Sequence, residues 1–553
     1  MKKWGILAGL LATVWSAQAA ALPDNMYMKA MQDEVKRSMD KLHRPGVEKP
    51  YFIAYKLEQV DEFPLIEASL GALYPVQQRD SQLTAYAWVD IGNAQKDSLG
   101  YKNDGYYGDY AYRPRRATDV SKSYDGIRYA LWQLTDLAYT FAAETYQQKQ
   151  AYERTKQAQK KDSIPDVIPA KQATYTEPIL PAPVYNLEEL QDWVKQQSAQ
   201  GKAYPFLEQF TVTVAPVLRT TYYLNSRGGF YQKSLPAVQV KWMARMRDKD
   251  GFKRKYSRSL WLAGFSAQEQ VVTATRTKDF LKDLQVSYQA VRAEDYVGPV
   301  LIMPSASGNF IYEQLVSNLQ NLKGLLSSAK EVDGTMGRFS NEQQRVMAPG
   351  ITVWDKPLQR IDGDTALGGF MPVDDEGVAA KELKLVEQGR IVDLPRTTRP
   401  LEDKKMSNGH AVATRKSFPR ERLTNVVVLP ENPLTTEELQ DQFLARCKEL
   451  GLDYGYVLHE WPSPANDNKP VLERVYLDGK SEFVYGLKIE GLTTRSLRDI
   501  LAAGDSPAVT HIAEEYVKGL PSQNVSAPAL LLEEMEFASI ETKPDKKPFV
   551  PKP

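Results

Sequence analysis

Residues able to carry out chemistry are few in this chain. Its 553 residues include four histidines and one cysteine, Cys447. No two of the histidines lie three or four positions apart; they are His43, His410, His459 and His511. Because residues at those spacings share one face of a helix, no helix of this chain presents a pair of imidazoles to a metal ion. We therefore predict no metal site.

Two serines, Ser305 and Ser307, lie between a predicted strand and a predicted helix over 309–326, where a hydrolase nucleophile would stand. With His410 as the base, either serine is a candidate catalytic residue. Their surroundings, Pro-Ser-Ala-Ser-Gly, lack the Gly-x-Ser-x-Gly turn that exposes such a nucleophile. The other interpretation is that one of them is the N-cap of the predicted helix, a position where serine is favoured.

His410 closes a short polar segment, Ser407-Asn408-Gly409-His410. In one interpretation these residues line a cleft and offer hydrogen bonds to a bound peptide. In the other, Asn-Gly forms a turn and His410 begins the next element with its ring satisfied locally. Both interpretations remain open at this stage.

Charge excludes some classes of function. The chain has 70 basic and 70 acidic residues, so no global field favours nucleic acid or an anionic membrane surface. Two acidic turns, 362–364 and 374–377, lack the longer spacing of oxygen ligands that a calcium loop needs. We therefore expect no bound calcium and no nucleic-acid partner.

The elements that must position these residues lie mainly between residues 368 and 429. After the acidic turn at 374–377, two strand-like runs at 382–387 and 391–394 flank a Gly-containing turn, which predicts a β-hairpin. The polar segment at 407–410 follows, and an apolar run at 425–429 predicts a further strand.

This order of motifs resembles the core signature of the TldD/PmbA family, in which a DDEG turn, an LVExG hairpin and an SNGHAR-like loop follow one another. A turn at 225–228 and the run at 491–500 are similar to further family segments, NSxG and GLTxRxLRDI. The resemblance spans about residues 45 to 540. It implies an α+β fold with an N-terminal α/β domain, an antiparallel middle domain and a large sheet-rich C-terminal domain.

In the peptidase branch of this family, a strand similar to residues 298–302 leads into a helix with the motif His-Glu-x-x-x-His. Its histidines bind zinc and its Glu is the general base. Here Met303, Pro304 and Gly308 stand at those positions. A thioether and a glycine do not replace imidazole as zinc ligands. The resemblance therefore implies a member without the zinc motif, similar to the PmbA branch, which pairs with the peptidase branch.

The N-terminus has the pattern of a secretory signal peptide over residues 1–19. Lys2 and Lys3 precede an apolar stretch too short to span a bilayer, and Ala17-Gln18-Ala19 is a cleavage site of small residues. We expect an exported protein, periplasmic or extracellular after cleavage near Ala19. No later stretch reaches the ~20 apolar residues of a membrane helix, so none is expected in the mature chain.

Composition then divides the rest of the chain. The predicted parts are an N-terminal α/β domain at 22–161, a proline-rich linker or strap at 162–184, a β-rich middle domain at 185–295, a C-terminal TldD/PmbA-like domain at 296–540 and a disordered tail at 541–553.

Three functional hypotheses follow. The first is an exported, metallopeptidase-related protein without a cofactor, which binds polypeptide or pairs with a catalytic relative in a homo- or hetero-oligomer. The alternative is an active peptidase with non-standard zinc ligands or a serine nucleophile. The third is an envelope-associated protein that acts through the tyrosine-rich segment 99–116.

Overall fold

The structure of the protein is a computed structural model. It describes residues 22–77, 81–101, 115–156, 164–181, 185–320, 322, 339, 341–401, 405–414, 417–512 and 519–540. The predicted signal peptide, most of the tyrosine-rich segment and the predicted tail lie outside these residues. Within the described part, no helix has both the length and the apolar character needed to cross a membrane.

Six α-helices and 27 strands make up the regular structure of the described residues. The helices are α1 Met26–Lys41, α2 Tyr124–Lys156, α3 Leu187–Ala199, α4 Ala267–Tyr288, α5 Pro304–Gln314 and α6 Thr436–Glu449. The strands are β1 Pro50–Glu62, β2 Ile66–Ser69, β3 Ala72–Leu73, β4 Ser81–Ile91, β5 Arg115–Ala117, β6 Thr174–Thr176, β7 Leu207–Asn225, β8 Phe230–Arg247, β9 Lys253–Leu262, β10 Val291–Arg292, β11 Tyr296–Ile302, β12 Ile351–Asp355, β13 Ile361–Asp362, β14 Thr365–Ala366, β15 Leu383–Glu387, β16 Arg390–Ile391, β17 Ala411–Thr414, β18 Ser417–Glu421, β19 Asn425–Pro430, β20 Tyr454–Glu460, β21 Val471–Tyr476, β22 Ser481–Tyr485, β23 Leu487–Glu490, β24 Ile500–Ala503, β25 Ala508–His511, β26 Asn524–Ala527 and β27 Leu530–Ser539.

The first sheet has eleven strands and contains the order β13-β14-β9-β8-β7-β1-β4-β5. Side chains alternate between its two faces. On β1, Ile53, Tyr55 and Leu57 pack with helices α1 and α2 in one buried cluster. Their neighbours Lys56 and Glu58 point to the opposite face, where they line a cleft. The sheet is therefore covered by helices on one side and presents polar groups on the other.

The first sheet also crosses the predicted domain boundary. Strand β1 pairs with β7 in antiparallel register from Ala54↔Asn225 to Glu62↔Val217. The expected first domain at 22–161 and the expected middle domain at 185–295 therefore share one sheet, and the segment 162–184 does not separate them. The cause is a long-range strand pairing, which composition does not report.

The proline-rich segment is a strap that connects two parts of the fold. Its strand β6 runs parallel to β8 in the first sheet. Ahead of that strand, Ile168 N–H donates to Thr398 O at 2.7 Å and Ala173 N–H donates to Gly377 O at 2.8 Å. The strap thus hydrogen-bonds to the first sheet and to the C-terminal part of the chain.

The C-terminal part is built around α5. An eight-stranded sheet contains the order β10-β22-β21-β20-β11-β27-β23, with β24 also paired to β27, and a six-stranded sheet has the order β16-β15-β12-β19-β26-β25. Both sheets supply strands to the large cluster that buries this helix. Helix α6 packs in a separate cluster with side chains of β11, β20 and β27. The α+β fold that the resemblance implied is thereby confirmed.

Local turn chemistry is correctly predicted at the hairpin. Strands β15 and β16 pair in antiparallel register, and Gln388 and Gly389 between them have φ values of 49° and 71°. Two consecutive positive φ values are typical of the tight turns that join twisted strands. The short two-residue connection therefore determines the register of the two strands.

The predicted helix at 309–326 is wrong in its bounds. Helix α5 begins at Pro304 and ends at Gln314, and a short 3₁₀ turn follows at Val316–Leu319. Proline is favoured in the first turn of a helix because its missing N–H has no partner there in any case. The proline thus starts the helix instead of preceding it.

Candidate binding cleft

A cleft of about 120 Å³ lies between the first sheet and loops of the C-terminal part. The sheet contributes side chains from four adjacent strands: Lys56, Glu58, Val60, Tyr86, Trp88, Arg219, Thr221, Tyr231, Lys233 and Leu235. The opposite wall consists of Gly368, Gly369, Phe370, Met371, Asp375, Val412, Ala413, Thr414, Arg422, Thr424 and Ser522. Aromatic rings and both signs of charge therefore meet in one concave site, as in many ligand sites.

Asp375 joins the two walls of the cleft. Its carboxylate accepts hydrogen bonds from Lys56 Nζ at 3.0 Å, from the Tyr231 hydroxyl at 2.8 Å and from Ala413 N at 2.8 Å. The Asp375 side chain is 4% exposed and that of Lys56 is 18% exposed. An ion pair this deeply enclosed with supporting hydrogen bonds holds both partners in one geometry.

The rest of the acidic turn is buried behind Asp375. Asp374 accepts from the backbone N–H groups of Glu376, Val378 and Ala411 at 2.8–3.0 Å. Burial, and then the nearby Glu376, raises the pKa of Asp374 well above its usual range. Burial also raises the pKa of Glu376 to about 7. The turn is therefore a structural junction, in which backbone donors occupy the oxygens that a calcium ion would use.

Lys233 stands in the same cleft without an acidic partner. Its Nζ donates to the backbone oxygen of Phe370 and lies 5.4 Å from the Tyr231 ring centroid. Within the described part of the chain, no carboxylate is at ion-pair distance from it. Burial, and then the charges of Lys56 and Arg219, lowers the pKa of Lys233 to about 7. About half of this amine is therefore neutral at pH 7.

The predicted cleft residues Ser407, Asn408 and Gly409 do not line this cleft. Ser407 Oγ donates to Arg396 O at 3.1 Å, and Asn408 Nδ2 donates to Leu394 O at 2.9 Å. Gly409 has a φ of 82°, and it lies so close to Ala380 that a Cβ added to Gly409 would come within 2.5 Å of the Ala380 Cα. Residues 407–409 instead hydrogen-bond to or pack against neighbouring backbone. Val412, Ala413 and Thr414, which follow them in the chain, line the cleft.

His410 is fully buried next to this segment. Its Nδ1 lies 2.9 Å from Asn408 Oδ1, and its Nε2 lies 3.2 Å from Asp355 Oδ2 without the angles of a hydrogen bond. Asp355 in turn accepts from the backbone N–H of Asn425 at 2.7 Å. The ring therefore has a local hydrogen-bond partner at Nδ1, while its buried Nε2 faces a carboxylate without a hydrogen bond.

The two candidate serines lie on α5, away from His410. Ser305 is exposed and donates to His459 O, while the buried Ser307 donates to Pro304 O at 3.3 Å. Among the described residues, the His410 ring has neither serine as a hydrogen-bond partner. The N-cap interpretation is wrong, because Met303 occupies the cap position and makes no side-chain cap bond.

The residues at the positions that the resemblance assigns to the zinc motif do not fit a metal ion. A Cβ added at Gly308 would collide with Thr510 Oγ1, come within 2.5 Å of Thr510 Cβ and lie 3.1 Å from Val525 O. A histidine therefore has no space there, and Met303 and Pro304 offer no ligand that replaces imidazole. Across the described ranges, no three His, Cys, Asp or Glu side chains converge as metal ligands.

His459, His511 and Cys447 have structural surroundings. His459 Nε2 lies 2.8 Å from Glu473 Oε2, and the ring stacks on Phe483. His511 Nδ1 lies 2.7 Å from Asn524 Oδ1. Cys447 is buried, and burial raises the pKa of its thiol to about 11. A thiol in this state is a poor nucleophile at neutral pH.

Comparison with known families places this architecture. The family model described as the PmbA/TldA metallopeptidase C-terminal domain matches residues 295–539, which contain α5, the six-stranded sheet, the eight-stranded sheet except β10, and one wall of the cleft. The C-terminal part of the chain, residues 295–539, belongs to the TldD/PmbA family. As a member it is related to metallopeptidases. Comparison with curated protein sequences gives no match.

Solved structures share the fold over almost the whole TldD/PmbA-type chain. TldE from Thermococcus kodakarensis is 14% identical with a TM-score of 0.59, covering 92% of this chain and 100% of that one. A candidate modulator of DNA gyrase from Thermotoga maritima is 16% identical, with a TM-score of 0.56 and the same coverage. Another from Bacteroides thetaiotaomicron is 10% identical, with a TM-score of 0.57, covering 93% of this chain and 98% of that one. At these identities the likeness establishes the fold alone.

Sequence reasoning missed the charged residues of the cleft. Lys56 and Glu58 interrupt an aromatic strand, and Lys233 follows Tyr231 at the spacing that shares a sheet face. Charged residues that recur with this period within apolar strands are the signal that would have pointed to a polar face. The partner Asp375 carried no such signal, because it lies 319 positions from Lys56.

Proposed function

We propose that this chain is an exported member of the TldD/PmbA family that works without the family's zinc motif and binds polypeptide in the cleft. The observation that carries this proposal is the cleft itself, where the Lys56–Asp375 pair and the neighbouring Lys233 lie between aromatic walls. Aromatic area supplies binding energy, and a few fixed polar groups supply orientation. This combination suits a chain of mixed polar and apolar character.

Close contacts at α5 support the part of the proposal that concerns zinc. Gly308 lies against Thr510 and Val525, so a histidine side chain would displace β25 or β26. Pro304 stands where the motif has its general base. The family resemblance further supports a role beside a catalytic relative, with this chain as the binding subunit. The N-terminal pattern at 1–19 supports export.

A peptide-binding assay combined with metal analysis tests the proposal. Purified mature chain is incubated with a fluorescent library of unstructured peptides, and zinc content is measured by elemental analysis. We expect saturable binding and no stoichiometric zinc. Thr414→Trp places a large ring at the wall of the cleft and should weaken binding about tenfold or more, since it fills space that a ligand needs.

The matched control is Thr275→Trp, which adds the same ring at an exposed position of α4. It should leave binding unchanged. Stoichiometric zinc together with hydrolysis that a chelator abolishes would instead establish the alternative, an active peptidase with non-standard ligands. Absence of saturable peptide binding by the mature chain would refute the binding function.

A further inference from the structure

The charges of the cleft are incompletely matched. Four cationic side chains and two carboxylates line it: Lys56, Arg219, Lys233, Arg422, Glu58 and Asp375. Lys56 is paired with Asp375 at 3.0 Å, and Arg219 Nη1 lies 3.8 Å from Glu58 Oε1. Both carboxylates of the cleft thus already have a cation beside them. Lys233 has only a neutral partner, the oxygen of Phe370.

The surroundings of Lys233 make the protonated form of its amine unfavourable. Cationic groups approach it from two neighbouring strands, Lys56 on β1 and Arg219 on β7. The acidic groups that face it belong to other partners: Asp375 is bonded to Lys56, and Glu177 of the strap is paired with Arg360. The other titratable groups of the cleft are Glu58, Tyr86, Tyr231 and Arg422. A bound anion would therefore supply the negatively charged partner that the Lys233 amine lacks.

The walls of the cleft indicate what kind of anion would fit. The cleft has a volume of about 120 Å³ and is open to solvent, so a ligand can lie partly inside it and partly outside. Tyr86, Trp88 and Phe370 offer apolar area beside Lys233. A carboxylate attached to an apolar body fits both the charge and the walls.

We propose that the cleft binds a carboxylate group of its polypeptide ligand through Lys233, and that Lys233 takes up a proton from solvent as the carboxylate binds. This inference rests on the proposed polypeptide-binding function. No covalent bond changes: a neutral amine and a carboxylate become an ammonium–carboxylate pair with one proton gained. A nearby negative charge favours the protonated amine, so the bound state raises the pKa that burial had lowered to about 7.

Calorimetric titration of the mature chain tests both parts of this proposal. The ligands are N-acetylphenylalanine, its amide, and the α-amide of N-acetylglutamate, each in two buffers of different ionisation enthalpy at about pH 8. We expect the free acid to bind about tenfold or more tightly than its amide, because a charge-assisted hydrogen bond is lost in the amide. Binding of the acid should take up a large fraction of one proton.

Two substitutions separate charge from shape. Lys233→Met keeps the length of the side chain without its charge and should weaken binding of the acid about tenfold or more. Lys233→Arg remains cationic, so it should bind the acid without proton uptake. Lys241→Met removes an exposed lysine farther along β8 and should behave as the unaltered chain does. Melting temperatures confirm that each variant is folded.

The outcomes distinguish this inference from the function on which it rests. Tighter binding of the glutamate derivative than of N-acetylphenylalanine would identify a side-chain carboxylate as the source; the reverse would identify a chain terminus. Equal binding of acid and amide, or no proton uptake by the unaltered chain, would overturn the inference. The same is true if no small ligand binds. In each of these cases peptide binding in the library assay would still support the proposed function.

Discussion

Two regions of the molecule, the start of α5 and the cleft, differ in the kind of residues that occupy them. At α5, Met303, Pro304 and Gly308 stand where the resemblance to the peptidase branch implies two zinc ligands and a general base, and tight neutral contacts surround Gly308. In the cleft, Lys56 and Asp375 hold opposite charges in an enclosed site that remains open to a ligand. Neutral contacts therefore fill the first region, whereas the second keeps paired, enclosed charges beside open space.

The difference has a physical basis. Glycine against a neighbouring strand costs little and leaves no polar group without a partner. An enclosed ion pair is expensive to desolvate, and removal of one partner leaves the other uncompensated. We therefore expect substitutions in the two regions to differ in size and in kind.

The largest effect is expected at Asp375. Asp375→Asn keeps the shape of the side chain but removes the charge that pairs with Lys56, so the free energy of unfolding should fall by about 3 kcal/mol. Urea denaturation measures this change. Asp136→Asn, at an exposed position of α2, is the matched control and should change stability by less than about 0.5 kcal/mol. Equal effects of the two substitutions would contradict a special role for the ion pair.

A smaller effect is expected at Gly308. Alanine is favoured over glycine in a helix by about 1 kcal/mol, but its Cβ would come within 2.5 Å of Thr510 Cβ. The steric cost of the added Cβ should exceed the gain in helix propensity, so Gly308→Ala should lower the free energy of unfolding by about 2 kcal/mol. Gly264→Ala serves as a control, since its added Cβ would meet only Glu269 Oε1 at 3.6 Å. A stabilised Gly308→Ala variant would mean that space for a side chain remains beside α5.

The smallest effect is expected at Ser305. Its hydroxyl makes one hydrogen bond, to His459 O, from an exposed position, so Ser305→Ala should cost less than about 1 kcal/mol. Peptide binding should not change, because Ser305 does not line the cleft. Thermal denaturation and the library assay measure both quantities. Loss of a hydrolytic activity in this variant would make Ser305 a nucleophile and would break the contrast drawn between the two regions.

Sequence patterns predicted the parts of the fold that depend on neighbouring residues. The turn at Gln388 and Gly389 was identified from glycine and the alternating runs beside it, and the order of such motifs indicated the family. The start of α5 was misplaced by five residues, from 304 to 309, because Pro304 was interpreted as part of a loop. One residue type has two local meanings there, and only the fold decides between them.

The cleft escaped prediction because its parts are distant in the chain. Lys56, Tyr231 and Asp375 come together only when β1 pairs with β7 and the acidic turn closes over the sheet. The polar segment at 407–410 attracted attention through its residue types, yet its hydrogen bonds serve the backbone around Leu394 and Arg396. Hydrogen-bonding capacity in a sequence does not reveal which partner will use it.

The proline-rich strap hydrogen-bonds to both parts of the fold that enclose the cleft. Gln172 accepts a hydrogen bond from Asn225 at the end of β7 at 2.6 Å and donates one to Glu376 O in the acidic turn at 3.3 Å. One side chain therefore contacts both the first sheet and the acidic turn. Its neighbour Ala173 does the same through its backbone, with Gly377 on one side and Phe230 on the other. The strap therefore ties the end of β7 to the acidic turn that supplies Asp375, so a change at Gln172 would loosen the connection between the two walls without altering a residue that lines the cleft.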